Sequence, residues 1–536
     1  MTIAAEKSVK ISASSRENTA LNRAHAVAVS LSAVFLAAPF LQPTLFPLAW
    51  IAFVPLYCSA LNARTPRKAF LLAWLAGALA HVIGFYWVDH TVRVFGGIPI
   101  GLSEIVLLGF AALNSLHIAL FGLLIFLCGI GPLALFPPIV WAAIEFFAPQ
   151  LFPWHLANSQ AGFAAFLQSA DLVGPYGASF LLAWVNAAIY ALLFSRGRAA
   201  FAAAAVCALA LAGNILYGGA RLKQVAAEMS AAPKLEVAAV QGSIDITTKW
   251  NPALMEENLK PYLDLTRAAP GARLYLWPES AIEIWIPDDA QRLPPELVPS
   301  LPPGSSLIFG VQSFSGEPRT PDMKGYNSAF HIDSTGRVLG HYHKQALLAF
   351  GEYLPFAPVV SRIPFAPPIG AGFTRGDGPV TLDAGGVKAA PLICYEDIMP
   401  ELARRAVAEK GANLLVNLTN DAWFGRTVAP YQHARLSQLR SIETRRTLVR
   451  VTNTGLTTVI NARGEIVDEL PIFKPGVLKA SVDIMEGKTP YVKYGDWFGW
   501  AVTVIALGVV GWRWRRIPLQ RNNVKSQGKN EVFLPR

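Results

Sequence analysis

Ala389-Ala390-Pro391-Leu392-Ile393-Cys394-Tyr395-Glu396-Asp397 is an apolar run that stops on a cysteine and turns at once to acid. The apolar part reads as a buried strand. The abrupt change puts Cys394 at the strand's mouth, where α/β proteins build their sites. By itself a cysteine there reads better as a packed thiol than as a nucleophile. A thiol also needs a partner to become a thiolate. His433 is a possible one, but it sits in a helix-like run and reads equally as a packed or surface histidine.

Two other strand ends offer something different. Leu274-Tyr275-Leu276-Trp277-Pro278 delivers Glu279, which taken alone is an acid favourable to the dipole of a following helix. His341-Tyr342-His343 delivers Lys344, followed by Phe350-Gly351-Glu352-Tyr353. Taken alone, Lys344 is a surface lysine. Each plain reading is individually the better one, and three such ends in one domain shift the balance. His341 and His343 alternate on the same strand, but two histidines without a third ligand make a weak zinc case. No metal site and no cofactor are therefore expected.

Further strands are read at 235–241, 273–277, 306–312, 328–332, 389–394, 413–418, 448–453 and 456–460. Helical patterns lie between them at 253–268, 400–410 and 430–446. Strands alternating with helices predict an α/β layered domain. Cys394 is the one cysteine of this segment, so no disulfide framework exists there. The other three, Cys58, Cys128 and Cys207, lie in apolar runs and act as small hydrophobes.

The chain around this segment is different material. Of 536 residues, 53% are hydrophobic and only 15% charged, against about 25% in an ordinary soluble domain. The mean hydropathy is +0.37. The apolar excess is concentrated in 25–220 and 498–512. A helix needs roughly 20 apolar residues to cross the hydrocarbon core. That template gives eight spans, near 25–42, 44–61, 69–88, 101–129, 131–148, 177–195, 199–219 and 497–512. A signal peptide is the alternative for 25–42, but further spans follow at once. The net charge of +10 could suggest nucleic acid, yet the basic residues cluster beside the spans. Lys7, Lys10, Arg16 and Arg23 precede the first, and Arg64, Arg67 and Lys68 follow the second. Arg196 and Arg198 separate the sixth and seventh, and Arg513, Arg515 and Arg516 follow the last. With eight spans all four clusters fall on one side, which the positive-inside rule makes cytoplasmic.

The expected organisation is thus a cytoplasmic segment at 1–24 and a seven-span bundle at 25–219. An extracytoplasmic domain at 220–496, a last span at 497–512 and a basic cytoplasmic tail at 513–536 follow. In the loop 149–176, Phe152-Pro153-Trp154 reads as an interfacial anchor. Cover over a lipid-access groove is the sharper alternative.

The three strand ends together resemble the nitrilase superfamily and, within it, the apolipoprotein N-acyltransferases of bacterial inner membranes. The matching blocks are Trp277-Pro278-Glu279-Ser280, Lys344 with Phe350-Gly351-Glu352-Tyr353, and Ile393-Cys394-Tyr395-Glu396. Val240-Gln241-Gly242 with Trp250, Asn417 to Gly425, Gln432-His433, Arg440…Glu443…Arg446 and Thr452-Asn453-Thr454-Gly455 also fit. The family usually has Pro where Ala349 stands, and often where Glu283 stands.

The resemblance implies a multi-span bundle carrying an αββα sandwich, with Cys394 as nucleophile, Glu279 as general base and Lys344 as oxyanion stabiliser. It implies supporting roles for Glu352, Tyr395 and Glu396, and substrate-binding roles for Trp250, Trp277 and Trp423. A phospholipid acyl donor, a diacylglyceryl-modified apolipoprotein acceptor and a monomeric enzyme of the inner membrane follow from it. Two rivals stand beside this expectation. One is a membrane-tethered amidase or hydrolase using the same residues with water as acceptor. The other is a transporter or scaffold with an inactive domain, which the scarcity of ionisable residues in the spans disfavours.

Overall fold

The computed structural model describes residues 2–195, 197–318, 320, 322–355 and 372–524. Of the expected basic clusters, Arg196 lies outside the described residues, as do the side chains of Lys7, Lys10, Arg16 and Arg516. The basic tail lies outside them beyond residue 524.

Among the described residues six helices are long and apolar enough to cross a membrane: Thr19–Leu41, Pro43–Leu61, Pro66–Gly84, Leu102–Cys128, Pro175–Ser195 and Arg198–Ala231. The other two expected spans, 131–148 and 497–512, are not among these six. The 131–148 segment spends its first residues on a turn with Leu133 at φ 51°. Its α-helix, Phe136–Phe147, is 12 residues, about 18 Å at 1.5 Å per residue, short of a ~30 Å core. The last helix, Trp497–Val524, is long, but its apolar part ends at Arg513.

The proline-rich second span is a 3₁₀ segment, Pro43–Trp50, followed by the α-helix Phe53–Leu61. A break in an apolar helix leaves backbone groups that must find partners inside the protein. Asn186 supplies them: its Oδ1 accepts from the Phe53 N–H at 2.8 Å and its Nδ2 donates to the Ala49 carbonyl at 3.0 Å. Cys128 and Cys207 are buried in the apolar packing and Cys58 is half-buried.

The expected α/β layering takes the form of two packed sheets. The strands are β1 Lys234–Gln241, β2 Leu274–Leu276, β3 Ile282–Pro287, β4 Ser306–Ser315, β5 Lys324–Asp333, β6 Val338–His343, β7 Leu382–Asp383, β8 Lys388–Ile393, β9 Leu414–Thr419, β10 Leu448–Thr452, β11 Thr458–Ile460, β12 Ile466–Glu469 and β13 Gly476–Asp483. One sheet runs β13-β1-β2-β4-β5-β6, with β3 continuing beside β4 past the end of β2. The other runs β12-β11-β10-β9-β8-β7. Side chains alternate across each strand. Val237, Leu276, Ile308, Tyr342, Ile393 and Val416 meet between the sheets. Tyr262, Trp277, Phe309 and Phe330 pack under the helix Met255–Arg267 on the outer face. Leu402, Ala403 and Val407 of the helix Pro400–Lys410 cover the second sheet. The result is an αββα sandwich.

The helix Ala429–Thr444 joins sandwich to bundle, and nearly every residue in it is buried. It carries no apolar stripe because both of its sides are covered. Polar residues lock the seam. Gln432 accepts from the Trp87 indole at 2.8 Å and donates to the Gly84 carbonyl at 2.9 Å. Just past its end, Arg445 meets Asp171 at 2.7 Å. The 149–176 loop folds into this seam. Trp154 is not an interfacial anchor: it is buried against Phe40, Phe85 and His81.

Candidate active site at the mouth of the sandwich

Cys394 follows β8 directly and takes φ +55°. A left-handed backbone costs an L-residue about 1–3 kcal/mol and persists only where the surroundings impose it. Here Asn417 donates to the Cys394 carbonyl at 2.8 Å. Glu396 accepts from the Ile393 N–H at 2.7 Å, which closes the turn. The same buried carboxylate accepts from the Tyr342 hydroxyl at 2.9 Å and from the N–H groups of Gln345 and Ala346 at 2.7 and 2.9 Å. Glu396 thereby ties the cysteine turn to the end of β6, where Lys344 emerges. Burial pushes its carboxyl up to about 7, even against the donors around it. Tyr395 donates its hydroxyl to the Leu347 carbonyl at 2.8 Å, and its ring lies 5.5 Å from the Lys344 ammonium.

Glu279 sits in the gap between β2 and β3. The chain crosses that gap on Gly310 of β4, which donates to the Pro278 carbonyl at 3.1 Å and accepts from the Ala281 N–H at 2.9 Å. A Cβ at Gly310 would stand 2.5 Å from the Glu279 Cα, so only glycine lets Glu279 come this close. Its carboxylate accepts from the Asn327 side chain at 2.7 Å and from the Asn420 N–H at 3.0 Å.

Lys344 is buried with its ammonium 3.6 Å from Glu279 and 2.9 Å from Glu352. Asn327 Nδ2 donates to both carboxylates, at 2.7 Å each. Glu352 also accepts from the Leu348 N–H at 2.8 Å. Two buried acids are held around one cation, with Asn327 as the bridge.

The electrostatics follow from that count. Burial pushes the Glu279 carboxyl up, and the Lys344 charge offsets part of the rise. Burial alone would pull Lys344 down, but Glu352 and then Glu279 outweigh it and hold it well above the ordinary lysine value. Burial pushes the Cys394 thiol well up, and the Glu279 charge pushes it further against Lys344. At neutral pH the resting site therefore holds a charged lysine and a protonated thiol. A thiolate can form only by handing its proton to a neighbour, and Glu279 and Lys344 both act on that thiol.

The structure thus gathers Glu279, Lys344, Glu352, Cys394, Tyr395 and Glu396, but not every expected residue. Trp277 does not line the site. It is fully buried in the outer layer, stacks near Tyr262 and donates to the Thr266 hydroxyl at 2.9 Å. Leu276 faces the sheet interface, so alternation sends the next residue, Trp277, to the outer layer, and Glu279 lies past the end of β2. Trp250 and Trp423 are partly exposed. Trp250 is held at φ +70° while its N–H donates to Glu283 at 2.9 Å. Glu283, at a position where a proline was expected, also pairs with buried Lys249 at 3.3 Å.

His433 is bound on both nitrogens, to Asp397 and Asp421 at 2.9 Å each. Burial works against its charge, but Asp397 outweighs it and lifts the imidazole to about 9. It is a fixed cation and not a base for Cys394. Asn327, Asn417, Asn420 and Gly310 were missed by sequence reading. Asn417 and Asn420 lay inside a quoted block, whereas Asn327 carried no local signal.

Between this site and the bundle lies a small apolar cavity of about 30 Å³. Phe85, Trp87 and Phe152 line it from the bundle, and Tyr395, Phe424 and Leu436 from the sandwich.

Sandwich and strand-end residues define an enzyme of the carbon-nitrogen hydrolase class, here built onto an apolar helical bundle. The carbon-nitrogen hydrolase model matches residues 236–489, and the apolipoprotein N-acyltransferase N-terminal domain model matches 32–188. The chain is 36% identical to the apolipoprotein N-acyltransferase of Geobacter metallireducens, over 91% of this chain and 94% of that one. It is 33% identical to the Azotobacter vinelandii enzyme of the same name, over 89% and 91%. An amidase from Nesterenkonia sp. is similar over 47% of this chain and 91% of its own, at 21% identity and a TM-score of 0.33. The chain belongs to the apolipoprotein N-acyltransferase family, a family of acyltransferases.

Proposed function

We propose that this chain N-acylates the α-amine of an S-diacylglyceryl cysteine at the N-terminus of an apolipoprotein, taking the acyl group from a phospholipid and carrying it on Cys394. The observation that carries the reading is the buried cluster of Lys344 between Glu279 and Glu352 around the Cys394 turn. Glu279 takes the thiol proton as sulfur attacks the ester carbonyl. Lys344 and the Tyr395 N–H, at the start of a short helix where N–H groups lack intrahelical partners, hold the oxyanion. Losing one such donor typically costs ~3–4 kcal/mol. The C–O bond breaks, the departing lysophospholipid oxygen takes the proton from Glu279, and a thioester remains on Cys394. The lipoprotein amine then attacks, gives a proton to Glu279, and the C–S bond breaks to return the protonated thiol. Splitting the transfer in two replaces one hard step by two easier ones.

Both substrates keep their chains in lipid, where each buried CH₂ is worth ~0.8 kcal/mol. A site standing over a bundle, with an apolar cavity between them, admits such chains without extracting them. The cavity holds little more than a water as it stands, so chains enter as the Trp423 and Phe424 segment moves. The sandwich stands outside a bacterial inner membrane, with both termini cytoplasmic, in line with the basic clusters; this topology requires 131–148 and the helix from Trp497 to cross along with the six longer helices.

The test is intact-protein mass spectrometry after incubation with phospholipid. A hydroxylamine-labile acyl mass on the Cys394 peptide is expected, absent in Cys394→Ala. A diacylated lipopeptide should then discharge it to the amine. No adduct on wild type, or release only as free fatty acid, overturns the transferase reading.

A further inference from the structure

His341 and His343 acquire in the fold the third partner that the sequence did not offer. Alternation on β6 turns Tyr342 and Lys344 toward the sheet interface and the site, and His341 and His343 to the outer face. On that face Asp288, which directly follows β3, comes up beside them. One ligand atom from each of Asp288, His341 and His343 lies within 4.8 Å of the others.

We infer that Asp288, His341 and His343 form a binding site for a zinc-class divalent cation, separate from the acyl-transfer residues. Two imidazoles and one carboxylate, with room for water, are a donor set this class of ion takes. Ligand bonds of about 2.0–2.1 Å put neighbouring donors of a tetrahedral ion roughly 3.4 Å apart. His343 Nε2 and Asp288 Oδ2 already stand at 3.3 Å. His341 has to close the remaining gap by side-chain rotation.

The surroundings are built as a metal ligand's second shell is built. A ligating histidine hydrogen-bonds through its other nitrogen, which fixes ring and tautomer. His343 Nδ1 does so with the Ser328 hydroxyl at 2.8 Å, and Ser328 is held by Ser313 at 2.6 Å. The His343 ring is stacked on Tyr326 with centroids 4.0 Å apart, and His341 on Phe330 at 5.2 Å. Among the described residues Asp288 Oδ1 is buried without a hydrogen-bond partner, the kind of orphan an ion satisfies. All three residues are half-buried, so an ion can reach them from solvent. A bound ion would clamp the end of β3 to the strand that delivers Lys344.

The test uses the full chain in detergent, stripped with chelator and titrated with Co²⁺ and Zn²⁺. One Co²⁺ per chain is expected, with visible absorption bands displaced by Zn²⁺. Asp288→Asn and His341→Ala should abolish the bands. Ser328→Ala, which leaves all three ligands, should weaken affinity roughly 10–100-fold. The variants' circular dichroism in chelator should match wild type, which separates loss of binding from loss of fold. Wild type without stoichiometric Co²⁺, or binding unchanged in folded Asp288→Asn, overturns the site.

Discussion

The nearest anion to Lys344 is Glu352: its ammonium lies 2.9 Å from each oxygen of that carboxylate. Glu279, the proposed base, is further away at 3.6 Å. One carboxylate anchors the cation, which leaves the other free to exchange a proton.

Glu352→Gln keeps the shape and removes the anchor charge. Breaking a buried ion pair from one side typically costs about 3–5 kcal/mol. Lys344 then turns to Glu279 and neutralises the base. Acyl-enzyme formation should slow by roughly 100-fold or more, read by single-turnover mass spectrometry. A rate within threefold of wild type would remove Glu352 from the mechanism.

Asn327→Asp replaces the shared donor with a third acid between two acids. Like charges disfavour ionisation, so Glu279 should hold its proton to higher pH. The acylation pH profile should shift to the alkaline side, with the maximal rate recovered in part at high pH. An unshifted profile would leave Asn327 as mere packing.

The wild-type pH profile has a definite sign. The base works deprotonated, and burial raises the Glu279 carboxyl above its ordinary value. Acylation should therefore fall on acidification before an ordinary glutamate, near 4.5, begins to titrate. Lys344 stays charged throughout, since its acids hold it above the ordinary lysine value. Rapid-quench measurement between pH 4 and 9 gives the apparent value. A rate flat down to about pH 4.5 contradicts Glu279 as base.

His433 makes stability, not chemistry, depend on pH. Its folded value of about 9 lies above the unfolded 6.5. The stabilisation is fully present below pH 6.5 and is lost as pH rises through about 9. Two and a half units correspond to about 3 kcal/mol as an upper bound. The wild-type melting temperature should fall over that window, and His433→Gln should flatten the fall while lowering stability at pH 6. Parallel curves would show that the two aspartates do not hold a charged imidazole.

Gly310→Ala tests the close approach of Glu279. The added methyl meets the Glu279 backbone, an overpacking that typically costs 1–3 kcal/mol. Acylation should drop at least tenfold in a protein that still melts cooperatively. Gly378→Ala, with open space around its Cβ, should behave as wild type in the same assay.

Much of this candidate site could be read from the sequence because Glu279, Lys344 and Cys394 stand where expected strands stop. Such ends are local signals. Asn327 is a different case: it lies inside β5 and matters only because β5 runs between β4 and β6. Its role is a product of strand order, which no window of sequence contains. Asp288 escaped for the same reason, since its histidine neighbours are more than fifty positions along the chain. Trp277 was misread because it directly follows the inward-facing Leu276 and so faces the outer layer, whereas Glu279 lies beyond the end of β2 and is turned by the loop. The spans at 131–148 and 497–512 are the least legible, because Pro132 and Arg513 shorten the apolar helix there, a matter of length more than of apolarity.

The seam at Ala429–Thr444 carries an evolutionary consequence. Arg445 of the sandwich is charge-matched by Asp171 of the bundle, and Gln432 by Trp87 and Gly84. A sandwich and a bundle from different chains therefore fit only where both sides of these pairs are kept. A chimera that keeps Arg445 but loses Asp171 would bury an unmatched guanidinium.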